Sequence, residues 1–134
     1  MDLKFRLSWV SGFGISAKGD NKEKPSWLDI ANCLELIRET GGTVTLEKRG
    51  EHSLPNTRHL QVIADEGKFF LSLGEENEED WEVRTYYNPS VSSEKVCVGG
   101  DYWDGRTVFR DFDFVRNVFR EFHKKGVVND SELI

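Results

Sequence analysis

Cysteine, methionine, proline and histidine are all scarce in this chain of 134 residues, which carries two, one, three and three of them respectively. The two cysteines, Cys33 and Cys97, have neither CxxC spacing nor the density of a disulfide framework, so they read as free thiols in a reducing compartment. His52, His59 and His123 are never four residues apart and none adjoins a cysteine, so no metal-ligand spacing is present and no metal is expected. No apolar run approaches the ~18 residues of a membrane span. Residues 1–10 carry Asp2, Lys4 and Arg6 where an export signal would be apolar. A soluble, cytoplasmic protein without membrane contact is the expectation. A surplus of positive charge is missing too: 18 Lys and Arg stand against 24 Asp and Glu, a net charge of -6. That sign is wrong for a protein whose affinity comes from neutralising phosphates, so nucleic-acid binding is not expected.

What the chain has in quantity is aromatic mass, nine Phe and four Trp, enough for a core without disulfide or metal staples in one domain over residues 1–134. Leu3, Phe5, Leu7 and Trp9 alternate with polar residues, so a strand is predicted over 3–10. Residues 11–24, rich in Gly, Ser and Lys, read as a surface loop. Ser26 with Asp29 three positions on forms a helix-start signature, and Trp27, Ile30, Ala31, Leu34 and Ile37 share one helical face, giving a helix over 27–39 that Gly41-Gly42 stops.

Strand-like alternation resumes at 43–47, returns at 59–64, and passes through the turn Asp65-Glu66-Gly67 into a strand at 68–73. After an acidic run a further strand is expected at 81–87, then short pieces at 95–98 and from Tyr102 onward. From Asp111 the period turns helical, with Phe112, Val115, Val118, Phe119 and Phe122 on one face and Gly126 as the stop; residues 127–134 receive no assignment. The absence of regular βαβ alternation gives an α+β class: a single meandering antiparallel sheet of about five to seven strands with two amphipathic helices packed on one face.

Catalytic constellations are hard to assemble. Ser11-Gly12-Phe13-Gly14 lacks the Lys-Ser/Thr ending of a phosphate loop, and no G-x-S-x-G elbow occurs. Asp101, Asp104, Asp111 and Asp113 could supply a carboxylate pair for a small-molecule enzyme, with His59 as a further candidate, but turn and helix-cap roles account for these aspartates. No catalytic residue and no cofactor are therefore expected. His52 and His123 read as surface residues.

The most unusual stretch is the acidic run Glu75, Glu76, Glu78, Glu79, Asp80 and Glu82. Closely spaced carboxylates repel unless they stay solvated or meet a cationic partner, so these six, with Trp103 as an aromatic anchor, are the candidate partner-binding residues. A self-associating structural or adaptor subunit is the other reading, and a monomer or weak homodimer the expected state.

Several pieces, taken in order, resemble small bacterial immunity proteins of polymorphic-toxin and contact-dependent growth inhibition systems. They are Trp27-Leu28-Asp29-Ile30, Gly42-Thr43-Val44-Thr45-Leu46, Leu60-Gln61-Val62, Asp65-Glu66-Gly67-Lys68-Phe69, Glu82-Val83-Arg84, Gly99-Gly100-Asp101 and the Phe-rich last helix. Together they cover most of residues 25–126. The resemblance implies a non-catalytic inhibitor that binds a cognate toxin domain encoded by an adjacent gene. For a nuclease toxin, carboxylates would sit where phosphates normally lie. These are scaffold positions, so no functional residue of that family is carried over.

Overall fold

The computed structural model describes residues 4–50, 56–76, 80–129 and 131–134. Among the described residues nine strands and two α-helices follow in the order β1 (Phe5–Ser11), β2 (Lys18–Glu23), α1 (Trp27–Thr40), β3 (Gly42–Lys48), β4 (Thr57–Asp65), β5 (Lys68–Glu76), β6 (Trp81–Thr85), β7 (Val96–Val98), β8 (Asp101–Trp103), β9 (Val108–Phe109) and α2 (Phe112–Lys125). The main sheet is antiparallel throughout, in the order β2-β1-β3-β4-β5-β6, with β9 attached to β5. The expected α+β class with one meandering sheet is therefore what the chain adopts.

Alternation decides which side is buried. Phe5 and Leu7 of β1, Val44 and Leu46 of β3, Leu60, Val62 and Ala64 of β4, and Phe69, Leu71 and Leu73 of β5 all point to one side and form one core. Both helices lie on that side and contribute Ile30, Cys33, Leu34, Ile37, Val115, Val118, Phe119 and Phe122. The Phe5 and Phe122 rings meet edge to face at 5.6 Å. Each helix starts where its cap predicts. Ser26 Oγ accepts from the Asp29 amide at 3.1 Å while the Asp29 carboxylate accepts from the Ser26 amide at 2.8 Å, and Asp111 caps α2 through the Phe114 amide. Gly41 ends α1, and Gly42 opens β3 so close to β1 that a Cβ there would collide with the Val10 carbonyl oxygen.

Four local expectations need correction. Residues 11–24 are not all loop, because Lys18–Glu23 pairs with β1 as the edge strand β2. Every residue of β2 is exposed, so no apolar alternation marks it, and its lysines and Asp20 suit an edge that must resist pairing with other chains. Strand β5 runs on to Glu76, so the acidic run begins inside the sheet. The short strands β7 and β8 pair with each other in a separate ribbon. His123 is half-buried: its ring packs 5.2 Å from Phe5 and its Nε2 lies 3.1 Å from the Pro25 carbonyl. His52 lies outside the described residues.

Residues 127–134, unassigned from sequence, contribute buried Val128 and Leu133, and Ile134 exchanges two backbone hydrogen bonds with Thr85 on the outer edge of β6. No helix is long and apolar enough to cross a membrane among the described residues.

Candidate functional site

With both helices on one side, the other side of the sheet has no helical cover. Cross-strand register sorts its residues into three bands. The first, Val10, Thr43, Ile63 and Phe70, is apolar but for Thr43. The β7–β8 ribbon lies over its far end, where Trp103 stacks on Phe70 at 3.9 Å and donates from Nε1 to the Val98 carbonyl. Lys68 Nζ bonds the Cys97 carbonyl and Asp65 accepts from the Gly99 amide, which fastens the ribbon to β4 and β5.

The second band runs Asn21, Ser8, Thr45, Gln61, Ser72 and Thr85, directly opposite one another across six strands. At about 4.8 Å per strand it spans about 24 Å. Ser8, Thr45, Gln61, Ser72 and Thr85 are half-buried, yet none of these side chains hydrogen-bonds another described residue. Donors and acceptors thus stand uncommitted in a belt without formal charge.

The third band is Glu23, Arg6, Glu47, His59, Gly74 and Val83. On the β1 side its charges compensate: Glu23 meets Arg6 and Arg49, and Arg49 reaches Glu47 at 3.6 Å. On the β5–β6 side they do not. His59 sits between two carboxylates, with Nδ1 3.8 Å from Glu47 and Nε2 3.7 Å from Glu76, and among the described residues Glu76 has no other ion pair.

Opposite Glu76, Trp81 folds back across Gly74, where an added Cβ would come within 2.5 Å of the indole. The bare strand glycine is therefore the seat of the ring. The indole stays 49% exposed and lies 5.6 Å from the His59 ring. Thr45, His59, Gln61, Ser72, Gly74, Trp81 and Val83 together line a shallow depression of about 340 Å³. A second depression of about 460 Å³ continues the same face over β1 and β2, lined by Ser8, Trp9, Val10, Gly19, Asp20, Asn21, Thr43, Thr45 and Gln61.

The residues singled out from the sequence scatter around this geometry. Glu75 and Glu82 point to the helix-bearing side; Glu75 is tied to Arg58 at 3.2 Å and to Asn56 at 2.8 Å, whereas Glu82 is exposed. Glu76 faces the open side. Asp80 accepts from the Trp81 amide and so holds the entry to β6. Glu78 and Glu79 lie outside the described residues. Trp103 stacks at Phe70, six positions along β5 from Glu76. That places Trp103 about 20 Å along the strand from Glu76.

Of the aspartates held as candidates for hydrolysis, Asp104 and Asp111 have separate structural partners, and Asp101 lies in β8. Asp104 grips Arg106 through both carboxylate oxygens, at 3.0 and 2.6 Å, and accepts from its amide, which holds the carboxyl down at about 2. Asp111 caps α2 and Asp113 lies in its first turn. Among the described residues no cluster of three His, Cys, Asp or Glu side chains could hold a metal. The Cys33 thiol is pushed up to about 11 by burial, with the Asp29 charge adding to it, so it is a poor nucleophile.

Sequence reading noted Trp81 beside the acidic run as an aromatic of the interface type but took Trp103 as the anchor, and it passed over Gln61, Thr45, Ser72 and Gly74. The available signal was the outward set of the alternating strands, which is polar in 43–47, 59–61 and 72–74 where a doubly covered sheet would be apolar.

Comparison with known proteins bears on the fold. The profile of a family described as "Family of unknown function (DUF6911)" matches residues 8–132, and the chain belongs to that family. A crystal structure of a hypothetical protein from Neisseria gonorrhoeae superposes with a TM-score of 0.72 at 15% identity, covering 94% of this chain and 91% of that one. At that identity the likeness is one of fold. No curated protein matches.

Proposed function

We propose that this member of the family is a non-catalytic binding protein, acting in the cytoplasm, that neutralises a cognate toxin domain by stoichiometric association. The observation that carries the reading is the helix-free sheet face. Its half-buried hydroxyl and amide side chains are uncommitted, it is flanked by exposed Val10, Trp81 and Val83, and at its β5–β6 end the Glu76 carboxylate has only His59 as an ion-pair partner among the described residues. A sheet face with an aromatic residue and an excess of one sign of charge has what a specific protein contact uses: an anchor that can be desolvated and a field that speeds encounter. The separate employment of Asp104 and Asp111 argues against the carboxylate-based alternative.

The acidic balance suits a toxin with a basic groove, such as a nuclease, and leads to a kinetic expectation. Added salt should slow association, whereas loss of an aromatic anchor should speed dissociation. The test is co-expression with the product of the gene immediately upstream, scored for survival and for a complex that co-purifies. Rescue with a one-to-one complex supports the reading; a harmless neighbour with no complex overturns it.

A further inference from the structure

The depression at the β5–β6 end has a floor and one wall but no roof. A free small molecule seated there would keep much of its surface in water, whereas a side chain delivered by a protein brings its own cover. Three features limit which side chain fits. The exposed indole of Trp81, braced on Gly74, offers a flat π surface beside His59. Glu76, 56% exposed at its side chain, has only His59 at 3.7 Å as an ion-pair partner among the described residues, and Glu47 lies on the other side of that imidazole at 3.8 Å. Behind them Thr45, Gln61 and Ser72 present oxygen acceptors that nothing else in the described structure occupies.

We propose that this depression is the seat for an arginine side chain of the partner protein, its guanidinium stacked on Trp81, paired with Glu76 and hydrogen-bonded to the Gln61, Thr45 or Ser72 oxygens. The proposal rests on the protein-binding reading above and names the chemistry of the contact. A guanidinium fits better than an ammonium because it is planar, stacks on an aromatic face, and carries five donors for acceptors that lie in different directions. A phosphate or carboxylate ligand would meet Glu47 and Glu76 and be repelled.

The seat is testable on the chain alone by following backbone, Trp indole and Gln side-chain N–H signals by NMR. The probe is N-acetyl-arginine amide, with N-acetyl-citrulline amide as its uncharged isostere. The expected result is a saturable shift of the Trp81 indole and the Gln61 amide, with citrulline binding about tenfold more weakly. Trp81→Ala and Glu76→Gln should each weaken the response about fivefold or more, while Leu28→Ala, at an exposed position of α1 on the opposite side of the sheet, leaves it unchanged. No saturable shift at Trp81, an equal response to citrulline, or shifts centred on Trp103 would overturn the proposal. In the co-expression assay, a toxin still captured and neutralised by Trp81→Ala and Glu76→Gln variants sinks the seat and leaves the binding reading standing. Arginine binding in a chain that rescues nothing does the reverse.

Discussion

Substituting Gly74 by Ala should have opposite effects in two backgrounds. In the native chain the new Cβ would stand 2.5 Å from Trp81 Cζ2 and 2.9 Å from Cη2, so the ring must leave its seat. With the residue 49% exposed, roughly half of the indole surface is buried there, about 120 Å². At about 25 cal/mol per Å² its complete release would cost ~3 kcal/mol, and partial re-seating brings the expected loss to about 1–2 kcal/mol. In a Trp81→Ala background there is no ring to displace. The φ of Gly74 is not among the positive ones, so Ala fits and should stabilise the strand by about 0.5–1 kcal/mol through lower unfolded-state entropy. The two effects differ by about 2 kcal/mol, readable as the coupling energy of a double-mutant cycle from urea unfolding followed by far-UV circular dichroism. A coupling below about 0.5 kcal/mol would refute the claim that Gly74 exists to seat Trp81.

Three further outcomes are expected. Phe122→Ala removes a fully buried ring of α2 that meets Phe5, and should cost about 3–5 kcal/mol, which calorimetry would register as a fall in Tm of about 10–18 °C. Asp29 is held down at about 2, chiefly by its bond to Lys22 and next by the Ser26 amide; a depressed folded value means its contribution is complete above the ordinary 3.8 and lost as pH falls towards 2. Asp29→Asn should therefore flatten the acid limb of the Tm profile between those values. Glu132 is shifted the other way, first by burial and then by the Glu121 charge, and its Oε2 is buried without a hydrogen-bond partner. Its ionisation opposes folding, so stability is lost as pH rises past the ordinary 4.5; Glu132→Gln should raise Tm at neutral pH, and the gain should shrink below that value.

Legibility from sequence followed the strength of local periodicity. The helices were readable because Ser26, Asp29, Asp111, Gly41 and Gly126 punctuate amphipathic runs, and the observed caps are those residues. Strand β2 was not, since an edge strand with both faces wet owes nothing to apolar alternation. The acidic run was conspicuous as composition, yet its members divide between the two sides of the sheet: Glu75 turns inward to Arg58 and Glu76 outward to His59. Runs of charge announce themselves in a sequence, but the pleat assigns each one a side.

The chain's own residues determined the class of fold, the two helices and their ends, and which half of each main strand is apolar, because all of these are set by interactions within a few residues. Tertiary structure alone decided the candidate site. Thr45, His59, Gln61, Ser72, Gly74 and Trp81 lie on four strands and become neighbours only through cross-strand register. Slipping one strand by a single residue would turn its members to the other face, so the belt and the seat of Trp81 exist because the buried leucines on the opposite side lock the pairing.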